Sequence, residues 1–251
     1  MVSEAKAASP LKKLLLIDAV TWSDAYPLQH PLRDVGGWFA RWLRDMPNLD
    51  LIVRHVETDL ERELRDGISG VLLSGSPRDA WRPDPVNEKL IHVIHICKRL
   101  EIPFLGVCYG HQLLARALGA PVGPHPRGYE LGAATITLPE AGQAFPMFEG
   151  VPSGFEALQS HQDVVLDLPQ DAVLLATGDF AHIQGFHWNH LLMGVQFHPE
   201  HDPESLRFIW HARRDKWRDK VEFDLDHALD NLTPTPQGPV ILRNFVRFFL
   251  Q

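Results

Sequence analysis

The chain has 251 residues, 45% of them hydrophobic and 22% charged, and this ordinary balance excludes a largely disordered chain, a collagen-like repeat or a coiled coil as the main architecture. Its 24 basic and 32 acidic residues give a formal net charge of −8, which argues against non-specific binding to nucleic acid or to an anionic membrane. The only cysteines are Cys97 and Cys108, too few for a disulfide framework, so we expect a reducing compartment and a cytoplasmic location.

The N-terminal stretch lacks the pattern of a targeting signal. Its apolar run over residues 14–17 stops at Asp18 and is shorter than the hydrophobic part of a secretion signal. No stretch of the sequence approaches the roughly 20 apolar residues that a membrane helix requires. We therefore expect residues 1–10 to form a flexible tail on a single domain that comprises residues 1–251.

Up to about residue 130, short apolar runs alternate with amphipathic stretches, which is typical of βαβ units around a parallel sheet. The strands predicted in this part lie at residues 14–17, 49–56, 71–73 and 102–107. The main helices are predicted at residues 34–43, 86–100 and 111–118. Asp34 is the expected cap of the first helix, and Thr58 and Glu61 are expected to form a capping box for a short helix after the second strand.

Beyond residue 130 the pattern changes to short strands joined by tight loops. These strands are predicted at residues 133–138, 155–159, 164–166, 173–176 and 191–197, and helices at residues 203–220 and 240–250. We expect the later strands to extend the same sheet in a mixed or antiparallel manner. The predicted fold class is therefore α/β, a three-layer sandwich with a mostly parallel central sheet and an antiparallel extension.

The joint between the fourth strand and the next helix carries a candidate nucleophile. It reads Gly106-Val107-Cys108-Tyr109-Gly110, the cysteine version of a nucleophile elbow. Glycine is expected on both sides because so sharp a turn brings the strand and helix backbones together. The helix N-terminus favours the Cys108 thiolate, and the Tyr109 backbone amide is expected to face a developing oxyanion.

A candidate base follows a later apolar strand. His198 ends this strand at the carboxyl edge of the sheet, where α/β proteins build their sites. Glu200 lies two residues on, across Pro199, and is expected to orient the imidazole. His198 and His201 also form a His-x-x-His pair, but no further ligands with zinc spacing accompany it, so we predict no metal and no other cofactor.

Taken together, these segments resemble class I glutamine amidotransferases, enzymes that use a Cys-His-Glu triad. GVCYGHQLLARALGA (residues 106–120) is similar to the nucleophile motif of that family, and QFHPE (196–200) to its His/Glu motif. LLSGSPRDAW (72–81) is similar to the oxyanion loop, and FEALQSHQDVVLDLP (155–169) resembles the Ser-His-x-Asp segment of the GMP-synthetase-like branch. The resemblance runs from the first strand to about Glu200, resumes over residues 238–249, and implies a flavodoxin-like sandwich.

The resemblance also implies roles for individual residues. Cys108 would be the nucleophile, His198 the base and Glu200 the residue that orients it. The backbone amides of Ser76 and Tyr109 would form the oxyanion hole. The residues that would contact the substrate are Gly75, Gln112, Ser160, His161, Gln162 and Asp163.

Two departures from the family pattern are informative. Ser76 stands where the oxyanion loop usually has glycine, and it fits there only with a negative or strained φ. The link from Glu200 to Gly238 is longer than usual, and we interpret residues 201–237 as a helical insertion. Five basic residues of this insertion lie around Trp210 and Trp217. They are Arg213, Arg214, Lys216, Arg218 and Lys220. We expect a solvated helical hairpin with its tryptophans packed on the body, and a partner-docking or substrate-selecting insertion is the alternative.

The implied activity is hydrolysis of the γ-amide of glutamine to glutamate and ammonia through a cysteine γ-glutamyl thioester. The sequence carries no ATP-binding signature, so the ammonia would pass to a separate synthase subunit or be released. A standalone γ-glutamyl peptide hydrolase with the same triad is the alternative, and the Gly75-Ser76 pair favours it. A third hypothesis, a catalytically silent regulatory subunit, predicts a damaged triad, whereas Cys108, His198 and Glu200 are all present.

Overall fold

The computed structural model of the chain describes residues 10–20, 30–217, 220–221 and 223–250. Its strands are β1 (Lys12–Asp18), β2 (Leu49–His55), β3 (Gly70–Leu73), β4 (Phe104–Val107), β5 (Val122–Pro124), β6 (Glu130–Thr137), β7 (Gly154–His161), β8 (Asp163–Val165), β9 (Ala172–Gly178), β10 (Gly185–Trp188) and β11 (Leu192–Val195). Its helices are α1 (Val35–Leu43), α2 (Leu60–Arg65), α3 (Pro85–Leu100), α4 (Tyr109–Ala117), α5 (Glu140–Ala144), α6 (Pro203–Trp217), α7 (Leu225–Asp230) and α8 (Gln237–Phe249). The predicted tail lies outside the described residues, apart from Pro10. None of the described helices combines the length and the apolar character needed to cross a lipid bilayer.

Nine of the described strands form one sheet, in the order β2-β1-β3-β4-β11-β10-β9-β6-β7. Neighbouring strands from β2 to β11 pair in parallel, and those from β11 to β7 pair antiparallel. A separate two-stranded antiparallel sheet joins β5 and β8. The predicted α/β class, with a parallel centre and an antiparallel extension, is confirmed.

Hydrophobic side chains cover both faces of the parallel strands. In β1, Leu14 and Leu16 belong to one cluster of buried residues, whereas Leu15 and Ile17 belong to another, because successive side chains of a strand point to opposite faces. Helices α1 and α8 pack on the first cluster, and α3 and α4 pack on the second. The result is the predicted three-layer arrangement, in which a buried parallel sheet is covered by helices on both sides.

The two predicted helix caps differ from what the structure shows. Asp34 occupies the cap position of α1, but its side chain makes no capping hydrogen bond. The capping box of Thr58 and Glu61 is wrong, since Asp59 caps α2 by accepting a hydrogen bond from the Arg62 backbone amide at 3.2 Å. The Thr58 hydroxyl instead donates to the His55 carbonyl at 2.8 Å, and the carboxylate one residue later takes the capping position.

Among the strands and α-helices, β5, β10 and α5 were not predicted. Strand β5 contains Gly123 and Pro124, residues that usually mark turns. Strand β10 has only four residues, and α5 has only five. Short segments carry little periodicity, and β10 and α5 also lack the continuous apolar run that marks the equally short β3 and β4.

Candidate active site

Cys108 lies on a sharp turn between β4 and α4. Its backbone has φ 51° and ψ −101°, a strained conformation for a residue with a side chain. Its amide donates to the Val195 carbonyl at 2.8 Å, which fixes the turn to β11. A Cβ at Gly106 would lie 2.4 Å from the Gly110 backbone, and one at Gly110 would lie 2.6 Å from the Leu73 carbonyl oxygen. Both flanking glycines are therefore required by close backbone approach.

His198 and Glu200 form a buried pair beside this turn. The His198 amide donates to the Leu158 carbonyl at 2.9 Å, and His198 Nδ1 lies 2.8 Å from Glu200 Oε1. The two side chains are only 8% and 2% exposed. The Glu200 carbonyl is held in turn by Arg41 at 2.8 Å and by the Trp42 indole at 2.9 Å. The contacts with α1 thus fix the backbone of Glu200 beside the imidazole.

The protonation of this pair follows from its surroundings. Burial by itself lowers the pKa of His198, but the charges of Glu200 and Cys108 and the hydrogen bond to Glu200 outweigh burial and raise that pKa to about 10. Burial would raise the pKa of Glu200, yet the positive charge of His198 and its hydrogen bond to the carboxylate lower that pKa below its ordinary value. An imidazolium paired with a carboxylate is therefore the favoured state near neutral pH.

Gly75 touches both reactive side chains. A Cβ there would lie 3.0 Å from His198 Cε1 and 3.7 Å from Cys108 Cβ. The loop is tied to the end of β1, because Ser74 Oγ accepts from the Ala19 amide at 3.0 Å and the Ser76 hydroxyl donates to the Ala19 carbonyl at 2.7 Å. Ser76 is not among the non-glycine residues with positive φ. Serine therefore fits this position without left-handed strain.

A cleft with two lobes opens on Cys108. The His198 lobe encloses about 460 Å³ and the Gln112 lobe about 480 Å³, both including space open to solvent. The residues shared by the two lobes are Ser76, Pro77, Cys108, Ser160 and Arg213. The further residues of the His198 lobe are Val20, Trp38, Gly75, His198, Glu200, His201 and Ile209. Those of the Gln112 lobe are Arg78, Asp79, Gln112, Tyr129, His161, Gln162, Asp163 and Trp217.

Most of the residues that the sequence singled out meet at this cleft. Gly75, Ser76 and the three triad candidates line the His198 lobe, and all the other substrate candidates line the Gln112 lobe. Tyr109 differs, because its side chain is buried beneath the cleft and its hydroxyl donates to Asn87 Oδ1 at 2.5 Å. Tyr109 can therefore contribute to the expected oxyanion hole only through its backbone amide.

Two substrate candidates are held by other polar groups. Gln112 Nε2 donates to the Asp163 carbonyl at 2.6 Å and to Gln196 Oε1 at 3.1 Å, so it joins α4 to β8. His161 Nε2 lies 2.9 Å from Glu130 Oε2 and is buried. These contacts fix both side chains in position at the Gln112 lobe before any substrate enters.

Helix α6 forms part of the cleft wall, a position that the preferred expectation of a solvated hairpin did not include. Its residues Ile209, Arg213 and Trp217 line the lobes, while Trp210 is fully buried. The expected solvated hairpin is therefore wrong for the inner face of α6, although its tryptophans do pack on the body. The signal was present in the spacing of residues 206, 210, 213 and 217, which share one face of a helix. The predicted Arg218 lies outside the described residues.

His201 adds a second imidazole next to Glu200. Its Nε2 lies 3.6 Å from Glu200 Oε1, and its Nδ1 lies 3.1 Å from Ser205 Oγ. Burial, aided by the charge of His198, lowers the pKa of His201 to about 3, so this ring is neutral. Within the described ranges, His198, Glu200 and His201 form the one group with metal-ligand spacing, their ligand atoms lying within 4.8 Å of one another. Glu200 Oε1 and His198 Nδ1 are already engaged with each other.

Comparison with known proteins gives a consistent family. A family model described as glutamine amidotransferase class-I matches residues 38–207. Gamma-glutamyl peptidases 3 and 5 of Arabidopsis thaliana are 31% and 34% identical to the chain over 56% of its length, and the matches cover 58% and 57% of those proteins. The chain thus spans less than two thirds of these relatives. One of the subunits of the glutamine-hydrolysing GMP synthase of Methanococcus maripaludis is 33% identical over 67% of the chain and 85% of the relative.

Solved structures share the fold. A glutamine amidotransferase from Thermotoga maritima aligns with a TM-score of 0.69 and 24% identity, over 95% of this chain and 96% of that one. A glutamine amido transferase from Methylobacillus flagellatus aligns with a TM-score of 0.73 and 20% identity, over 97% of this chain and 96% of that one. At these identities the likeness establishes the architecture and nothing finer.

Proposed function

The chain belongs to the class I glutamine amidotransferase family, and on that premise we propose that it hydrolyses the γ-amide of glutamine to glutamate and ammonia. The observation that carries the proposal is the position of Cys108 on a strained turn beside His198, whose Nδ1 lies 2.8 Å from Glu200 Oε1. In this proposal Cys108 is the nucleophile, His198 the general acid and base, and Glu200 the residue that orients the imidazole.

The first half of the reaction forms a covalent intermediate. The Cys108 thiolate attacks the γ-carbonyl carbon, and the backbone amides of Ser76 and Tyr109 hold the oxyanion that results. His198 gives its proton to the amide nitrogen, the carbon–nitrogen bond breaks, and ammonia leaves. The product on the protein is a γ-glutamyl thioester. The raised pKa of His198 supports this sequence, because the proton needed by the leaving group is already on the ring.

The second half releases the acyl group. Water attacks the thioester carbonyl while His198 takes its proton, and collapse of the tetrahedral intermediate expels the Cys108 thiolate. One glutamine and one water therefore yield one glutamate and one ammonia. The imidazolium and the thiolate are restored for the next cycle.

The two lobes divide the substrate between them. The nitrogen that leaves must reach His198, so the leaving group lies in the His198 lobe. The glutamyl side chain then extends into the Gln112 lobe, where Asp163 can attract its α-ammonium group. Ser160, His161 and Gln162 line the same lobe and supply polar groups for its α-carboxylate end.

The His198 lobe favours a second candidate function, hydrolysis of γ-glutamyl peptides. Ammonia needs roughly the 30 Å³ that a water molecule occupies in the liquid, and because this lobe is open to solvent, a larger leaving group can extend from His198 out of the cleft. The same Cys108, His198 and Glu200 would cleave a γ-glutamyl peptide, since the bond broken is again a γ-amide. Relatives named gamma-glutamyl peptidases support this candidate. Relatives named as subunits of glutamine-hydrolysing GMP synthase support the first, with ammonia passed to a separate synthase subunit.

Steady-state kinetics on the purified chain tests both candidates. Glutamine and a panel of γ-glutamyl dipeptides are offered separately, glutamate release is followed, and Cys108→Ala serves as the blank. Release from glutamine above the blank supports the amidotransferase proposal, and faster release from the dipeptides supports the peptidase. No release from any substrate, including after addition of cell extract to supply a partner, contradicts both.

A further inference from the structure

The His198 lobe combines an apolar wall with a single basic side chain of fixed charge. Val20, Trp38 and Ile209 form the wall. Arg213 is the only arginine or lysine among the described residues that line this lobe. An apolar wall with one arginine beside the reactive groups matches an amino-acid leaving group that carries an apolar side chain and a carboxylate.

Helix α6 determines where Arg213 stands. Trp210 lies three residues before Arg213 and Trp217 four residues after it, so the three share one face of the helix. Both tryptophans are buried, at 0% and 3% exposure, and the Trp210 indole donates to Ser160 Oγ at 3.2 Å. The Arg213 guanidinium carbon lies 5.8 Å from the centre of the Trp217 ring. The packed face of α6 thus carries a guanidinium group to the mouth of the cleft.

We propose that this lobe is a subsite for an amino-acid leaving group, and that Arg213 binds the carboxylate of that group. The inference rests on the second candidate of the proposed function, hydrolysis of γ-glutamyl peptides, and narrows those substrates to γ-glutamyl dipeptides whose second residue is apolar. His198 donates its proton to the amine that leaves, so the atoms bonded to this nitrogen extend into the same lobe. The planar guanidinium group pairs with a carboxylate through two parallel hydrogen bonds. The contact therefore depends on the orientation of the carboxylate as well as on its charge.

A pair of substrates that differ only in this carboxylate tests the proposal. γ-Glutamylphenylalanine and γ-glutamylphenethylamide have the same glutamyl part and the same aromatic leaving group, but the second lacks the carboxylate. For the wild type we expect kcat/KM to favour the acid by about 10- to 100-fold, the range for a hydrogen-bonded contact between charged groups. Arg213→Met should abolish the preference, and Arg213→Lys should retain part of it.

Arg214→Met is the matched control. Arg214 is the next residue of α6, forms an ion pair with Asp226 of α7 and is not among the described residues that line the lobe, so this variant should keep the wild-type preference. Because both substrates carry the same α-carboxylate, a contact of Arg213 with the glutamyl part would lower both rates alike and leave the preference unchanged. That result would overturn the proposal, as would a wild type that does not distinguish the two substrates or cleaves glutamine alone.

The same experiment separates failure of the subsite from failure of the proposed function. If glutamine releases glutamate but γ-glutamylphenylalanine is not preferred over γ-glutamylphenethylamide, the proposed subsite is wrong and the proposed hydrolysis of glutamine is still supported. If neither glutamine nor the two test substrates release glutamate above the Cys108→Ala blank, the proposed function fails and the subsite fails with it.

Discussion

The indole of Trp210 donates a hydrogen bond to the hydroxyl of Ser160 at 3.2 Å. Trp210 belongs to α6, and Ser160 belongs to β7 at the far edge of the sheet. Ser160 lines both lobes of the cleft. The contact therefore joins the helix that walls the site to the strand that lies beneath it.

Removing this contact should loosen the site. Trp210→Phe keeps a buried aromatic ring but deletes the donor and leaves a small cavity, and we expect the unfolding free energy to fall by more than the roughly 1 kcal/mol of a typical hydrogen bond. Glutamate release should slow several-fold because Ser160 is no longer held. Urea unfolding and steady-state rates measure the two effects. Trp81→Phe is the control, since Trp81 is 37% exposed, and equal losses in the two variants would contradict the role given to Trp210.

A methyl group at Gly75 should disturb the reactive pair directly. Its carbon would lie 3.0 Å from His198 Cε1, closer than ordinary contact, so the imidazole or the loop must shift. We expect Gly75→Ala to cost about 1–3 kcal/mol of stability, as overpacking does, and to lower kcat by 10-fold or more, since misplaced catalytic groups are costly. Gly154→Ala should change neither quantity, because a Cβ at Gly154 meets no atom within 4 Å. Unaltered turnover in Gly75→Ala would argue against a close Cys108–His198 pair.

Backbone strain at Cys108 predicts which of two inactive variants, both lacking the thiol, is the more stable. Positive φ penalises any residue that carries a Cβ, and glycine escapes the penalty. Cys108→Gly should therefore be more stable than Cys108→Ala, by about 1 kcal/mol. Urea unfolding of the two variants gives the difference. The reverse order would show that the turn relaxes once the thiol is removed.

The His198–Glu200 pair should make folding stability depend on pH. The folded-state pKa of His198 is about 10, above its ordinary 6.5, so protonation stabilises the fold in full below pH 6.5, and this stability is lost as the pH rises through about 10. On the acid side, the lowered pKa of Glu200 means that stability is also lost as the pH falls through that lowered value. Urea unfolding of the wild type from pH 6.5 to 10 should show the alkaline loss. Glu200→Gln should show much less of it, and identical profiles would contradict the pairing.

Rates of glutamate release in two variants should distinguish the role of His198 as base from the orienting role of Glu200. His198→Ala removes the proton carrier, and we expect a loss of about 100- to 10,000-fold in kcat/KM, the range for general acid–base catalysis. Glu200→Gln keeps a hydrogen-bond acceptor for the ring and should cost less. The exposed His92, which lies near Glu61 on the surface, offers His92→Ala as the control with wild-type rates. A Glu200→Gln loss as large as that of His198→Ala would give Glu200 a larger part than orientation.

The parallel core and the nucleophile turn could be predicted because each has a local cause. Central strands such as β3 and β4 are buried on both faces, so they read as continuous apolar runs. The turn at Cys108 can be recognised in the sequence by two glycines, one on each side of the cysteine. Glycine is required there because backbone atoms leave no room for a Cβ at either position. In both cases the constraint acts on residues that are neighbours in sequence.

The rest of the site depends on contacts between distant parts of the chain. Arg213 reaches the cleft only because Trp210 is buried against β7, and a run of charged residues in α6 conceals that apolar face. The hydrogen bonds that Arg41 and Trp42 donate to the Glu200 carbonyl join residues about 160 positions apart. No local pattern in one sequence reveals such contacts.

The match to the family model ends at residue 207, partway along α6, and Arg213 and Trp217 lie beyond it. Two of the side chains that line the leaving-group lobe, Ile209 and Arg213, thus lie outside the stretch that carries Cys108, His198 and Glu200. Exchanging the C-terminal half of α6 for another sequence would be a way to redirect substrate choice while the reaction itself stays the same. For protein engineering, that short segment is a natural place to build a library.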